Sequence, residues 1–550
     1  MTSLITTIRN AVIGDRQLID TSFGKKPLIY ADYTASGRSL SFIEDYIRQQ
    51  VLPFYANTHS ETSYTGAQTT LLREQARDII RAAVNASAED QVIFCGPGAT
   101  AAINKLIDIL NIRLPADLTA RHDLLQRIPQ EQRPVVFIGP YEHHSNELPW
   151  RESIADVVVI PLCKNGLLDT QALASALQQY RHRSLKIGSF SAASNVTGIK
   201  TNIDDVSALL HSQQAYALWD YAAAAPYVGI DMNPSDTGHH KDAVFISTHK
   251  FIGGPGTPGV LVVKKQLLSN TVPAVVGGGT VVYVTPQDHQ YTANYERREE
   301  GGTPAIVESI RAGLVFKLQH DVGTDTIEAL EHDFVEQALA RWSNNDNIEI
   351  LGNTDSDRLS IFSLRLKHRG KDLHYGFVVA LLNDLFGIQA RGGGSCAGPY
   401  GHALLNMDIN YSKSLEAEIV KGHMILRPGW VRLNFNYFID QETFDYLLQA
   451  IELVAQYGHR LLPYYQFDQA SGTWRYQKQK MQLTSSLDNF DFSAPLAAHN
   501  HADKVNLAPY LQAAKAQLKQ PNPTAERYSL TLPESARALR WFVLPQEVAD

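Results

Sequence analysis

Between residues 27 and 265 the sequence alternates short apolar runs, many of them rich in β-branched residues, with longer stretches of helical periodicity. Runs that are apolar at nearly every position are typical of strands covered on both faces, and such strands occur in parallel sheets. Strands that alternate with helices are joined by right-handed crossovers around one sheet. This part of the chain therefore predicts an α/β domain with a mostly parallel central sheet.

The predicted strands are Pro27–Tyr33, Gln91–Cys95, Pro134–Gly139, Asp156–Leu162, Leu185–Ser191, Tyr216–Asp220, Ala243–Ser247 and Gly259–Val263. The predicted helices between them are Gln68–Asn85, Ala99–Leu110, Thr170–Tyr180 and Ile203–His211. After about residue 305 a long helix, a strand, a helix, a strand and a last helix predict a smaller α+β domain. We therefore expect an N-terminal arm at 1–26, a large domain at 27–304, a small domain at 305–462 and a C-terminal extension at 463–550.

The composition excludes several classes of protein. Apolar residues make up 44% and charged residues 19%, as in ordinary globular proteins, and the net charge of −8 comes without a basic stripe that would bind nucleic acid. Three cysteines do not make a disulfide framework and indicate a reducing compartment. The first residues lack a secretory pattern, and no apolar run approaches the ~20 residues of a membrane span. We expect a cytoplasmic protein that binds neither nucleic acid nor membranes.

Two polar groups stand at the ends of predicted strands. Lys250 follows Ser247 and His249 and precedes a glycine-rich turn, where a lysine can act as an amine nucleophile. Taken alone, a surface lysine in a flexible turn is the simpler interpretation. Asp220 ends an apolar strand, where a buried carboxylate can hold the proton of a pyridine ring. An N-cap aspartate explains that position equally well.

Two further segments are weaker signals. Cys95–Asn104 has the pattern of a strand, a glycine turn and a helix start, which can bind phosphate, but it matches no nucleotide fingerprint. His143 and His144 follow another strand, and a flat imidazole can stack on a planar cofactor; a structural histidine pair is the alternative. His239-His240 and His499-Asn500-His501 lack partner ligands, so we expect no metal site.

These segments follow successive strands in the order glycine loop, histidine, aspartate, lysine. In that order, and with Ser194–Gly198 and Gly301–Pro304, the chain resembles pyridoxal-phosphate enzymes of aminotransferase class V over about residues 27–460. The resemblance is strongest to cysteine desulfurases and selenocysteine lyases. It implies the α/β fold of a fold-type I pyridoxal-phosphate-dependent transferase, with the cofactor in the domain at 27–304.

The resemblance also implies roles for single residues. Lys250 would carry pyridoxal 5′-phosphate as a Schiff base and later move the substrate's α-proton, Asp220 would pair with the pyridinium nitrogen, and His143 would stack on the ring and relay protons. The other implied cofactor-binding residues are Ala99, Thr100, Asn195, Ser247, His249 and Thr303. Thr303 would reach the cofactor of a neighbouring subunit, which implies a homodimer with active sites at the interface. An amino-acid substrate would be bound by Asn195, Arg391 and Arg432.

Cys396 bears on the reaction. It lies in the arginine–glycine segment 389–398, where desulfurases carry the nucleophilic cysteine, so the resemblance implies a persulfide on Cys396 and a sulfur-acceptor protein as partner. A buried, inert cysteine is the alternative. Cys396 would be a bystander in a class V aminotransferase, epimerase or C–S lyase. A sulfur-delivery component related to molybdenum-cofactor sulfurases and a non-catalytic scaffold are the remaining alternatives.

Three features depart from the desulfurase pattern. Ala223 stands where desulfurases have a glutamine that donates to the cofactor, and this resembles the molybdenum-cofactor sulfurases. The insertion Val281–Arg298 and the C-terminal extension also lie outside the usual pattern. We expect the charge run Glu296–Glu300 to be a solvated segment.

Overall fold

The structure is a computed structural model that describes residues 3–58, 60–479, 481, 483, 485–493, 505–521 and 525–548. The chain forms two compact units that are interleaved in sequence. The first comprises Met1–Val12, Thr34–Leu330 and Asp355–Leu359, and the second comprises Ile13–Tyr33, Glu331–Thr354 and Ser360–Asp550. His499 and His501 lie outside the described residues. In the part of the chain that the structure describes, no helix is both long enough and apolar enough to cross a membrane.

The strands, numbered along the chain, are β1 (Leu18–Thr21), β2 (Gly24–Pro27), β3 (Ile29–Tyr30), β4 (Asp90–Phe94), β5 (Val135–Ile138), β6 (Asp156–Val159), β7 (Lys186–Ser191), β8 (Tyr216–Asp220), β9 (Ala243–Ser247), β10 (Gly259–Lys264), β11 (Val281–Val284), β12 (His289–Tyr291), β13 (Ile348–Ile350), β14 (Ile361–His368), β15 (Lys371–Asp372), β16 (Ile388–Gln389), β17 (Arg391–Gly393), β18 (Trp430–Asn434), β19 (Tyr465–Asp468) and β20 (Thr473–Tyr476).

The α-helices are α1 (Leu4–Ala11), α2 (Ser41–Tyr46), α3 (Tyr64–Ala83), α4 (Gly98–Ile109), α5 (Ala116–His122), α6 (Leu148–Arg151), α7 (Thr170–Gln179), α8 (Ile203–Ser212), α9 (Tyr295–Glu299), α10 (Ile306–Val322), α11 (Thr324–Trp342), α12 (Tyr375–Phe386), α13 (Gly398–Leu404), α14 (Ile409–Val420), α15 (Gln441–Tyr457), α16 (Ala508–Lys519) and α17 (Glu534–Ala538).

A seven-stranded sheet in the order β4-β10-β9-β8-β7-β5-β6 forms the centre of the first unit. Strands β5 to β9 are parallel to one another, and β10 is antiparallel to both β4 and β9. Every residue of β5, β7 and β9 is buried, as expected for strands that are covered on both faces. The predicted mostly parallel α/β sheet is therefore confirmed.

Helices of the first unit pack closely on the sheet and on one another. Helix α4 lies against β9 and β10, and α3 lies against α10. The α3–α10 contact depends on Gly313, because a Cβ there would lie 2.5 Å from the Cβ of Ala76. The long helix predicted from residue 305 is divided into α10 and α11 by Gly323, whose φ of +87° ends the first helix.

A sheet of short antiparallel strands forms the second unit. Its order is β13-β14-β18-β17, with β15 on β14. Its core includes the edge-on and tilted rings of Trp342, Phe362, Phe435 and Phe444. The predicted strand Pro27–Tyr33 is not in the central sheet. Its Pro27 ends β2, and its Ile29–Tyr30 part forms β3, which pairs in parallel with β16 of the second unit.

The C-terminal extension packs on the second unit around one buried histidine. The Nδ1 of His374 accepts hydrogen bonds from the N–H of Gly376 and from Trp474 Nε1. The rings of Trp541 and Phe542 lie 5.3 and 5.1 Å from that of His374, and burial lowers the pKa of His374 to about 3. The extension therefore buries a neutral histidine in an aromatic cluster.

Candidate active site

The predicted cofactor residues of the first unit follow the strands of the central sheet. The carboxyl ends of the parallel strands β5, β7, β8 and β9 lie at one edge, where α/β sheets bind ligands. His143 lies in the segment after β5, Asn195 follows β7, and Asp220 is the last residue of β8. Lys250 ends a 3-10 turn directly after β9. The fold therefore brings these four residues to the same edge of the sheet.

An anion cradle lies at the start of α4. The N–H of Ala99 donates to Ser247 Oγ (2.8 Å), and N–H groups at a helix N-terminus attract phosphate. Gly98 has a φ of +58°, and a Cβ there would lie 2.8 Å from Ser247 Oγ and 3.6 Å from His249 Nε2. Because Gly98 has no side chain, backbone, hydroxyl and imidazole groups converge on open space. This donor set fits a phosphate group.

Asp220 is a buried carboxylate at the end of β8, with 4% of the residue exposed. Its Oδ1 accepts the N–H of Ala222 at 2.8 Å, and its Oδ2 accepts no hydrogen bond from the described part of the chain. Burial raises the pKa of Asp220, while the Ala222 N–H and the charge of Lys250 oppose that rise. A buried carboxylate with an unused oxygen suits the protonated nitrogen of a pyridine ring.

The contacts of His143 define which ring nitrogen carries the proton. Its Nδ1 accepts the backbone N–H of Ser145 at 3.1 Å, so the lone pair is on Nδ1 and the proton of the neutral ring is on Nε2. Ser145 Oγ lies 3.0 Å from the same Nδ1 and 2.6 Å from Thr100 Oγ1. A hydroxyl chain thus connects His143 to the first turn of α4.

His249 is neutral in this site. Burial, followed by the positive charge of Lys250, lowers the pKa of His249 to about 4. Its Nδ1 lies 3.3 Å from Ser36 Oγ. This edge of the sheet therefore offers groups that fit pyridoxal phosphate: an amine, a carboxylate, a flat imidazole and an anion cradle.

A second group of predicted residues lies within the second unit. Arg432 is 3% exposed and donates from Nη2 to Asp32 Oδ1 at 3.0 Å. Arg391, its register partner on β17, has its Nη1 4.0 Å from Asp32 Oδ2. Cys396 is exposed, so a buried, inert thiol is excluded, and its negative form interacts electrostatically with Arg432. One region of this unit thus contains two arginines, a carboxylate and an accessible thiol.

The loop that carries Cys396 has an unusual backbone. Ser395 and Cys396 have φ angles of +51° and +55°, the left-handed region that non-glycine residues rarely adopt. Such conformations cost about 1 kcal/mol or more each and concentrate at functional sites. The turn presents the Cys396 side chain at the surface of its unit.

The charge run Glu296–Glu300 is largely buried, with only Arg297 exposed, so the prediction of a solvated segment is wrong. Glu296 accepts the N–H of Val92 (2.8 Å) and Glu300 that of Phe94 (2.7 Å), which covers the free edge of β4. Arg77 contacts both carboxylates. Hydrogen bonds to the edge strand β4 and ion pairs with the buried Arg77 thus fix the segment. Thr303, a few residues further on, lies in an exposed turn of this chain.

His240 lies beside His211 and Asp242, two side chains that could have been metal ligands. His211 Nδ1 lies 2.5 Å from the carbonyl of Gly238, and its Nε2 lies 2.8 Å from Asp242 Oδ2. The rings of His211 and His240 are stacked 3.9 Å apart and parallel within 9°. The three side chains are close enough to hold a metal ion. However, stacked rings direct their in-plane lone pairs along parallel lines, which suits an imidazolium–carboxylate pair better than a shared metal.

Sequence reasoning assigns no role to two carboxylates of these regions, the partly buried Asp32 and the buried Glu142. Asp32 lies two residues after β3, and Glu142 precedes His143. A carboxylate next to the end of an apolar strand is the signal that would have found both.

Comparisons with known proteins agree with this geometry. A family model described as aminotransferase class-V matches residues 29–447. A probable cysteine desulfurase of Halalkalibacterium halodurans is 28% identical over 390 residues, covering 70% of this chain and 87% of the relative. A probable cysteine desulfurase of Staphylococcus epidermidis is 27% identical over 397 residues, covering 71% and 88%.

Solved structures share the fold. A cysteine desulfurase from Thermococcus onnurineus NA1 matches with a TM-score of 0.63 at 21% identity, over 78% of this chain and 95% of that one. The cysteine desulfurase CsdA from Escherichia coli matches with a TM-score of 0.60 at 21% identity, over 78% and 94%. The predicted fold-type I architecture is therefore confirmed.

Proposed function

Because the chain belongs to the aminotransferase class-V family, whose members use pyridoxal 5′-phosphate, we propose that it is a cysteine desulfurase-like enzyme. Its substrate is L-cysteine or L-selenocysteine, and its amino-acid product is alanine. The observation that carries this proposal is the convergence of Lys250, Asp220, His143 and the anion cradle on one edge of the sheet. An exposed cysteine in the arginine–glycine loop supports the sulfur chemistry.

The residues of the first unit would hold the cofactor. Lys250 would bind its aldehyde carbon through Nζ, and Asp220 would hold the proton of the ring nitrogen. The phosphate would be bound by Ala99, Thr100, Ser247 and His249, and the ring would be contacted by His143 and Asn195. When bound, the cofactor withdraws electrons from the substrate's α-carbon, so that the α-proton becomes acidic and the bond from the β-carbon to sulfur weakens.

Proton transfer is then the work of two side chains. Lys250 Nζ, as the neutral amine that is freed when the substrate binds, would take the α-proton. His143 has its proton on Nε2, so it begins the cycle as a proton donor rather than as a base at that atom. The hydroxyl of Ser145, in contact with Nδ1, provides a route by which the ring can be reprotonated.

Cys396 accepts the sulfur. Its Sγ, after losing a proton, attacks the substrate sulfur; the β-carbon–sulfur bond breaks as the new sulfur–sulfur bond forms. The electron pair of the broken bond stays with the substrate carbon, which takes up a proton and leaves as the methyl group of alanine. Cys396 becomes a persulfide, and no outside oxidant is needed. A sulfur-acceptor protein would then remove the terminal sulfur.

Arg432 and Arg391 would bind the α-carboxylate of the substrate, with Asn195 orienting it. Arginine is suited to this because its planar guanidinium grips a carboxylate at two points. Asp32 already holds one Nη of Arg432 at 3.0 Å and so fixes its orientation before substrate arrives. We further propose a cytoplasmic homodimer in which Thr303 contacts the cofactor of the partner subunit.

The test is incubation of the purified protein with pyridoxal 5′-phosphate, a thiol reductant that releases persulfide sulfur as sulfide, and a panel of amino acids, with sulfide, alanine, pyruvate and keto acids measured. We expect alanine and sulfide in equal amounts from L-cysteine, and loss of both in Cys396→Ala. Cys163→Ala, a change at a half-buried cysteine, is the matched control and should keep full turnover. Full turnover in Cys396→Ala, or keto acids as the main product, would instead support an aminotransferase, epimerase or C–S lyase.

A further inference from the structure

Glu142 is a buried carboxylate directly before His143. Only 3% of the residue is exposed. Buried glutamates are rare unless they are paired with a cation or bound by several donors. The function proposed above gives Glu142 no role, so its retention in the interior needs an explanation.

Four donors surround the Glu142 carboxylate. Oε1 accepts the N–H of Ser191 (2.9 Å) and the N–H of Gly139 (3.2 Å). Oε2 accepts Ser191 Oγ (2.6 Å) and Asn146 Nδ2 (2.7 Å). Ser191 ends β7 and Gly139 follows β5, while Asn146 lies in the short turn after His143. One side chain therefore ties the His143 segment to the ends of two sheet strands.

The groups that contact Glu142 carry no charge. From β5, β7 and the turn they are amides and a hydroxyl, and the charged group among the largest effects on Glu142 is Asp220. Burial, the largest effect, and Asp220 raise the pKa of Glu142 to about 7, against the opposing donors. Glu142 is thus a second buried carboxyl group in the field of the aspartate that we assign to the cofactor's ring nitrogen.

We propose that Glu142 is a positioning residue for the cofactor ring: it fixes the His143 segment against β5 and β7 and supplements the negative field of Asp220. The inference rests on the cofactor site proposed above. Three of its donors, two backbone N–H groups and the Asn146 amide, cannot become acceptors without disturbing other bonds. Asn146 Oδ1 is already used by Ser189 Oγ (2.6 Å) and Trp150 Nε1 (3.3 Å), which fixes the orientation of that amide.

Glu142→Gln is the informative change because it keeps the shape of the side chain. With Oε1 toward the two N–H groups, the new amide nitrogen faces the hydroxyl of Ser191, which can rotate to accept, and the amide of Asn146, which cannot. We expect about tenfold weaker binding of pyridoxal 5′-phosphate. We also expect the pH at which the cofactor's visible absorbance changes to fall by about half a unit or more, because a negative group near a cationic cofactor has been removed.

Asp242→Asn is the matched control. Asp242 is also buried, also accepts a backbone N–H (Ala217, 2.8 Å) and a side-chain amide (Gln266, 2.9 Å), but it precedes β9, whereas the cofactor residues follow that strand. We expect this variant to lower the thermal midpoint of the cofactor-free protein and to leave the cofactor affinity and the absorbance midpoint unchanged.

The measurements are the dissociation constant of pyridoxal 5′-phosphate, a spectrophotometric pH titration, and thermal unfolding of the cofactor-free protein. A Glu142→Gln protein that unfolds earlier but keeps wild-type affinity and titration would overturn the proposal and leave only a structural role. If Glu142→Gln does not fold, Ser191→Ala removes one donor and should shift the titration in the same direction; no shift in that variant also overturns it. Wild-type protein that binds no cofactor would refute the proposed function instead.

Discussion

Replacement of Glu300 tests whether the buried charge run holds the edge of the central sheet. The side chain of Glu300 is 6% exposed and contacts Arg73, Arg77 and the N–H of Phe94, while both arginine side chains are 4% exposed. Opposing the effect of burial, Arg77 and then Arg73 lower the pKa of Glu300. The carboxylate is therefore ionised in the folded protein, and Glu300→Ala would leave two buried guanidinium groups short of a partner.

The size of the effect follows from what remains after the change. Breaking a buried ion pair by removing one partner costs about 3–5 kcal/mol. Arg77 keeps Glu74 (3.0 Å) and Glu296 (3.6 Å), and Arg73 keeps Glu74 (3.3 Å), which places the expected loss at the lower end. The exposed N–H of Phe94 adds about 1 kcal/mol or more if no water replaces the carboxylate. We expect a loss of about 4 kcal/mol.

Hydrogen–deuterium exchange of the segment 90–94 is the direct assay, since it reports the opening of the edge strand β4 rather than the unfolding of the whole chain. Amides of this segment should exchange about a hundredfold or more faster in Glu300→Ala. Glu74→Ala is the control, because Glu74 is half exposed and its ion pairs should contribute less than about 1 kcal/mol. Equal exchange rates in the two variants would refute the idea that Glu300 secures this edge.

Three further predictions concern the site. Gly98→Ala should weaken pyridoxal 5′-phosphate binding about tenfold or more, measured by absorbance, because a Cβ would lie 2.8 Å from Ser247 Oγ in a backbone with positive φ. Arg432→Lys should raise KM for cysteine more than it lowers kcat, since a lysine cannot make the two-point contact. Asp220→Asn should abolish turnover yet stabilise the cofactor-free protein at neutral pH, by denaturant titration, because burial raises the pKa of Asp220. The folded-state pKa lies above the unfolded one, so the destabilisation grows as pH rises through that interval and vanishes below about pH 4.

The parts of the fold that could be predicted from the sequence are those governed by local pattern. Strands such as Tyr216–Asp220 and Ala243–Ser247 have the predicted bounds, because a run of buried apolar residues leaves no other arrangement for a covered sheet. The ends of these strands position Asp220 and Lys250 at one edge, as the strand pattern predicts, whereas the roles of the two residues came from the resemblance to class V enzymes. Pro27–Tyr33 has the same apolar character, but it pairs with β16 some 360 residues later, a choice that no local pattern encodes.

The burial of the charge run also could not be predicted from local sequence. A segment such as Glu296–Glu300 has the composition of a solvated surface, and its burial depends on Arg73 and Arg77, which lie more than 200 residues earlier. Long-range pairing of opposite charges leaves no trace in local periodicity. The exposure of Cys396 and its left-handed backbone likewise depend on the loop's context, not on its glycine content alone.

The direction of the pKa shift distinguishes the buried carboxylates that we assign to structure from those that we assign to the cofactor site. Glu300 has two guanidinium partners, and its pKa is lowered despite burial, which marks a group whose charge is neutralised within the folded protein. Asp220 and Glu142 have no guanidinium partner among the described residues, and burial raises the pKa of both. A protein that buries a carboxylate without neutralising it leaves a site that a cation can complete. Because both carboxylates lie at the edge where Lys250 and the anion cradle meet, we propose that the protonated ring of the cofactor supplies the positive charge.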